Sequence, residues 1–118
     1  MSKTAFSVRV FSIYAIVLGV VLITVPNILL TIFNIPETNE FWIRVAGMLL
    51  LIIGYYYFMA SGKEMRDFFK WSVVGRFSVL VFFLGFVILG VAPAILILFG
   101  VIDALSALWT ASCLRKEA

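Results

Sequence analysis

Four runs of largely apolar residues, near 8–25, 41–60, 72–92 and 94–113, almost fill this 118-residue chain. A helix needs about 20 such residues to cross the hydrocarbon of a bilayer. Folding in water is a poor alternative, because 64% of the residues are hydrophobic and 13% charged, more apolar surface than one domain of this size can bury. In lipid the outward faces are apolar as well, and the difficulty disappears. The expected fold is all-α, an integral membrane four-helix bundle forming a single domain over residues 1–118.

The breaks between the runs carry turn chemistry. Pro26 and Pro36 bracket the first, Ser61-Gly62 can end the second helix, and Pro93 sits in the tightest break. Lys3 and Arg9 ahead of an apolar run suggest a signal peptide, but no small-residue cleavage site follows Pro26, so the run is read as a span. Lysine and arginine stand at Lys3 and Arg9, before or at the first run, at Lys63, Arg66 and Lys70 between the second and third, and at Arg115 and Lys116 after the fourth. The other two loops have neither. By the positive-inside rule both termini and the middle loop are then cytoplasmic, which only an even number of spans allows.

The first outer loop is patterned. In PNILLTIFNIP, Asn27, Thr31 and Asn34 recur at helical spacing among apolar residues, one narrow polar stripe. A short interfacial helix over 27–35 is expected, lying in the outer interface or folded back over the bundle mouth, and ending before Pro36. Trp42 falls near the outer interface; Trp71, Trp109 and the run Tyr55-Tyr56-Tyr57 lie toward the cytoplasmic one, as interfacial aromatics do. The segment SGKEMRDFFKW mixes Lys63, Arg66 and Lys70 with Met65, Phe68, Phe69 and Trp71. That mixture suits an anionic leaflet surface, a partner protein or a plain solvated connector.

Two stretches echo each other. RVFSIYAIVLGVVLITVPNILLTIF, from Arg9, and GRFSVLVFFLGFVILGVAPAILILF, from Gly75, share the order Arg, Phe-Ser, Gly, Pro, Ile-Leu, Phe, with the same Phe-Ser to Gly spacing. A parallel repeat of two hairpins would produce this order, and so would coincidence in a small alphabet.

Asp103 is the one charge in the run from Ala94 to Leu114. A charge at mid-membrane costs about 2.5–3.5 kcal/mol on insertion scales, so Asp103 is expected to face inward and meet a cation. Gly100, Ser106, Ala107 and Thr110 share its face, a small-residue surface that admits a second helix and supplies hydroxyls. Arg44 and Arg76 are the two intramembrane cations; the outward lean of Asp103 along its helix favours Arg44, and Arg76 can snorkel to the cytoplasmic side. Such a pair either fixes helix register or builds a polar pocket. Tyr14, midway along the first span, needs a partner for its hydroxyl and can extend the network.

Other chemistries lack their parts. Histidine is absent and Cys113 is the only cysteine, so no metal site, disulfide or dithiol is expected. The nine basic residues never form a run with interleaved aromatics, which excludes nucleic acid as a partner. No Gly-rich phosphate loop or paired carboxylates appear, and neither a cofactor nor catalytic residues are assigned.

The stretch WIRVAGMLLLIIGYYYFMA, with its R-x-x-G and a second Gly seven residues later, resembles the arginine-bearing helices of DoxX-like proteins, small four-helix bacterial membrane proteins. The resemblance implies a compact antiparallel bundle in the inner membrane, in a family sometimes associated with quinone-linked oxidation. The resulting expectation is a non-enzymatic accessory or binding module whose ligand-binding residues are Arg44, Asp103, Tyr14, Trp42, Tyr55 and Ser106. A lipid headgroup, isoprenoid or quinone-sized amphiphile suits such a pocket, with arginine taking a phosphate or carbonyl and aromatics lining the tail. The second expectation is an oligomeric transporter or channel that uses the buried Asp-Arg pair. Membrane lipids, a homo-oligomer or a larger membrane complex are the expected partners.

Overall fold

A computed structural model describes residues 1–117, and the regular secondary structure among them is all helical. Five helices follow in order: α1 (Lys3–Thr24), α2 (Pro26–Ile32), α3 (Trp42–Gly62), α4 (Arg66–Ile88) and α5 (Leu96–Lys116). Four of them, α1, α3, α4 and α5, are long and apolar enough to cross a membrane. Their outward residues are largely apolar, including Val17, Ile52, Val81 and Leu105, as a lipid solvent allows.

The helix ends explain the boundaries. Pro26 has no N–H and a φ suited to a first helical turn, so it stops α1 and opens α2. Three helices then end in the same left-handed motif, with paired 6→1 and 5→2 backbone bonds. Behind α2, Asn34 takes φ 56°, and Ile35 and Asn34 donate to the carbonyls of Leu30 and Thr31. Behind α3, Glu64 takes φ 51°, and Met65 and Glu64 donate to Ala60 and Ser61. Gly90 does the same behind α4 at φ 77°, with Val91 and Gly90 donating to Phe86 and Val87.

Several boundaries therefore differ from the hydropathy reading. The short helix expected over 27–35 ends at Ile32 because Asn34 supplies the left-handed cap. α3 runs through Ser61-Gly62, and the left-handed residue is Glu64 rather than glycine. α4 starts six residues early, at Arg66, with Asp67 in its first turn, where a carboxylate complements the dipole. It stops at Ile88 because Gly90, not Pro93, supplies the break.

The chain divides into two compact units, one of Arg9–Met59 and one of Met1–Val8 with the chain from Ala60 onward. In the first unit α1 and α3 run antiparallel. A Cβ built on Gly19 would lie 2.7 Å from the carbonyl oxygen of Gly47, and one on Gly54 would lie 2.7 Å from the Ile16 side chain. Only glycine allows backbones this close. In the second unit α4 and α5 are antiparallel, with Gly100 against Leu80 and Phe83. The first turn of α1 lies along the last turns of α5, where Ser7 and Thr110 share a hydroxyl–hydroxyl bond of 2.8 Å.

Candidate functional site

Arg76 is the largest fully buried side chain of the molecule, at 2% exposure. It lies on α4 and faces α5. Its Nη2 donates to Ser72 Oγ at 3.0 Å, its Nε to the Ser72 carbonyl at 3.3 Å, and its Nη1 to Ser106 Oγ at 3.3 Å. One helical turn separates Ser72 from Arg76, so both side chains share a face. Each serine is itself fixed, Ser72 Oγ donating to the Phe69 carbonyl and Ser106 Oγ to that of Asp103, both at 2.7 Å. In lipid such back-bonding satisfies hydroxyls that water cannot reach.

Asp103 completes this centre. Its backbone carbonyl accepts the Ser106 hydroxyl that in turn accepts from Arg76, and it sits one turn from Ser106 on α5, each of them only half-buried while Arg76 is enclosed. The arrangement is a buried cation with hydroxyl partners beside an acceptor that keeps some access to the surface. A ligand head there could accept from a hydroxyl or guanidinium edge and donate to the carboxylate.

Of the residues expected at the site, Arg76, Asp103 and Ser106 come together in this unit. The others belong to the unit Arg9–Met59. There Arg44 donates from Nη1 to the carbonyl of Ile23. Pro26 interrupts the ladder behind α1, leaving last-turn carbonyls short of donors, and Arg44 supplies one. The side-chain lean favoured Arg44 for Asp103; Arg44 makes its bond inside its own unit, and Arg76 shares a unit with Asp103 and bonds Ser106, one turn from it. Tyr14 packs its ring 5.8 Å from Phe11, which in turn lies 5.4 Å from Tyr57. Trp42 stacks on Phe41 at 4.2 Å, and Tyr55 is exposed beside Tyr56 at 5.8 Å.

The polar stripe of α2 seats the loop that follows it. Asn27 Oδ1 accepts the Thr38 N–H at 2.9 Å, and Thr31 Oγ1 donates to Glu37 at 3.2 Å. Asn27, Thr31 and Glu37 with Ile28 and Ile32 line an open groove of about 280 Å³.

A second polar cluster escaped the sequence reading. Ser2 is the N-cap of α1, its Oγ accepting the Ala5 N–H at 3.0 Å. In a capping box a glutamate three residues on would take the N-cap N–H, but that position is Ala5. Glu64 does so instead, accepting Ser2 N–H at 2.8 Å and Ser2 O–H at 2.6 Å. Glu117 accepts the Lys3 N–H at 3.0 Å and the Thr4 hydroxyl at 2.7 Å, and lies 3.5 Å from Arg66. The first turn of α1 has no acid of its own, so two remote carboxylates complement its dipole. The hydrogen bond from the Ser2 hydroxyl holds Glu64 below the ordinary carboxylate range, and that from Thr4 does the same for Glu117. The available signal was two acids in loops opposite a helix start that lacks one. Among the described residues no group of three or more His, Cys, Asp or Glu side chains could hold a metal ion. Comparison of the chain with protein-family models, with curated proteins and with solved structures finds no match.

Proposed function

We propose that this chain is a small non-enzymatic protein of the bacterial inner membrane, with both termini cytoplasmic, acting as an accessory or binding module. Its ligand is an amphiphile of lipid, isoprenoid or quinone type, held by its polar head at Arg76, Ser106 and Asp103. The observation that carries this reading is the burial of Arg76 between two apolar helices, with hydroxyl partners on both and the half-buried Asp103 one turn from Ser106. Intramembrane ionisable residues mark ligand and ion sites more often than ordinary packing. The apolar character of α4 and α5, which carry the centre, fits a ligand with a long hydrocarbon part.

The test is extraction of the purified protein and mass spectrometry of what comes with it. A defined amphiphile enriched over bulk membrane lipid is expected, and D103N and S106A should lower its yield while leaving the helical circular dichroism unchanged. Absence of enrichment, or full retention in both variants, overturns the reading.

A further inference from the structure

The N-terminal turn of α1, the α3–α4 connection and the end of α5 are tied together by the bonds of Glu64 and Glu117. These segments carry Lys3, Lys63, Arg66, Lys70, Arg115 and Lys116 against Glu64, Asp67 and Glu117. These named residues sum to +3, the same as the net charge of the chain. The remaining charges cancel, with Arg9, Arg44 and Arg76 facing Glu37, Glu40 and Asp103 in number. Two of the three acids are already engaged by the start of α1, so the cations dominate what an approaching molecule meets.

Apolar side chains border the charge. Trp71 is 70% exposed and Met65 50%. On the other flank Phe6 and Trp109 meet edge to face at 6.0 Å. Lys70 adjoins Trp71, and Arg115 and Lys116 stand less than two turns beyond Trp109. A molecule that satisfies both features must be anionic at one end and apolar at the other. Purely polar polyanions would leave the aromatic flanks uncovered.

We propose that this end is a binding surface for the phosphate headgroup of an anionic phospholipid, with Lys63, Lys70, Arg115 and Lys116 meeting the phosphate and Trp71 and Trp109 lying against the upper acyl chain. Cations next to a membrane surface recruit anionic lipid at about 1 kcal/mol each, roughly fivefold in local preference. The charge and the aromatic flank lie within one unit of the structure, and neither depends on the centre at Arg76.

Tryptophan quenching by brominated lipid tests this directly. In a W42F background the fluorescence comes from Trp71 and Trp109 alone. Brominated phosphatidylglycerol should displace phosphatidylcholine from these tryptophans with a relative association constant of about five or more. That constant should fall toward one in K63Q/K70Q/R115Q/K116Q and in high salt. Equal quenching by brominated phosphatidylglycerol and phosphatidylcholine overturns the proposal, as does a preference that survives the four substitutions. Inorganic phosphate abolishing the preference where chloride of equal ionic strength does not would mark a small-anion site and overturn it too.

Discussion

The pair α1 and α3 and the pair α4 and α5 solve one problem in different ways. Lipid tails are as apolar as leucine, so burying side chains between helices gives little drive for association. Within Arg9–Met59 the solution is backbone proximity, with Gly19, Gly47 and Gly54 replacing side chains at the crossing. Between α4 and α5 the solution is polar, with Arg76 and Ser72 buried and bonded and Ser106 half-buried as a further partner of Arg76. The aligned stretches make the contrast sharp. Ser12 and Ser78 hold corresponding places and each donates back to a carbonyl three residues earlier, at 2.6 Å. Their aligned glycines part company: Gly19 sits against backbone, while a Cβ on Gly85 would meet nothing within 4 Å.

The glycine crossing offers the largest effect. Gly19→Ala puts a methyl within reach of a carbonyl oxygen that cannot rotate away, and should cost about 1–3 kcal/mol or more, as overpacking does. Gly85→Ala should be neutral or stabilising by about 0.5–1 kcal/mol, the helix propensity difference. Gly100→Ala should fall between, because its neighbours are Leu80 and Phe83 at 3.1–3.3 Å. Reversible unfolding in bicelles measures all three. Equal losses at Gly19 and Gly85 would erase the contrast.

The polar pair should respond more mildly and in a coupled way. Ser106→Ala removes one acceptor from a buried guanidinium, which costs about 1–3 kcal/mol when no replacement partner reaches it. A double-mutant cycle with Arg76→Met should give a coupling near the membrane average of about 0.6 kcal/mol and no more than about 1.7. The same cycle across Gly19 and Ser106 should give none. Coupling of that size between the glycine crossing and the serine would mean the two devices are not separate.

How much of this was written in the chain varies by physical scale. The spans were legible because apolar length is a local property, and all four apolar runs reappear as long helices. Close-contact roles for Gly19, Gly47 and Gly54 were legible as small residues on the first two spans, and each meets the facing helix; which atoms they meet is set by the facing backbone. Asp103 and Ser106 could be chosen as polar residues on one face of α5. The bond that Arg44 makes was not legible, because no pattern displays its acceptor, the carbonyl of Ile23 at the end of α1 just before Pro26. Glu64 and Glu117 were missed for the same reason. Their partner is the start of α1, more than sixty residues away in each case.

The smallest expected effect is a pH dependence confined to one region. Glu64 and Glu117 both have pKa values lowered by folding, through the hydroxyls of Ser2 and Thr4. A carboxylate depressed in this way stabilises the folded state fully above its unfolded value, about 4.3 for glutamate. The contribution is lost as pH falls through the lower folded value. The protection factors of the Ser2 and Lys3 amides, exchange corrected for its intrinsic pH dependence, should therefore fall below about pH 4, while those of the α1–α3 crossing stay flat, since Gly19, Gly47 and Gly54 carry no titratable group. E64Q and E117Q should each exchange faster at neutral pH and lose part of the acid-side change. Both carboxylates are solvent-facing, so salt and water limit their worth to that of a surface contact. If acid loosens the glycine crossing as readily as the start of α1, the two regions do not open independently.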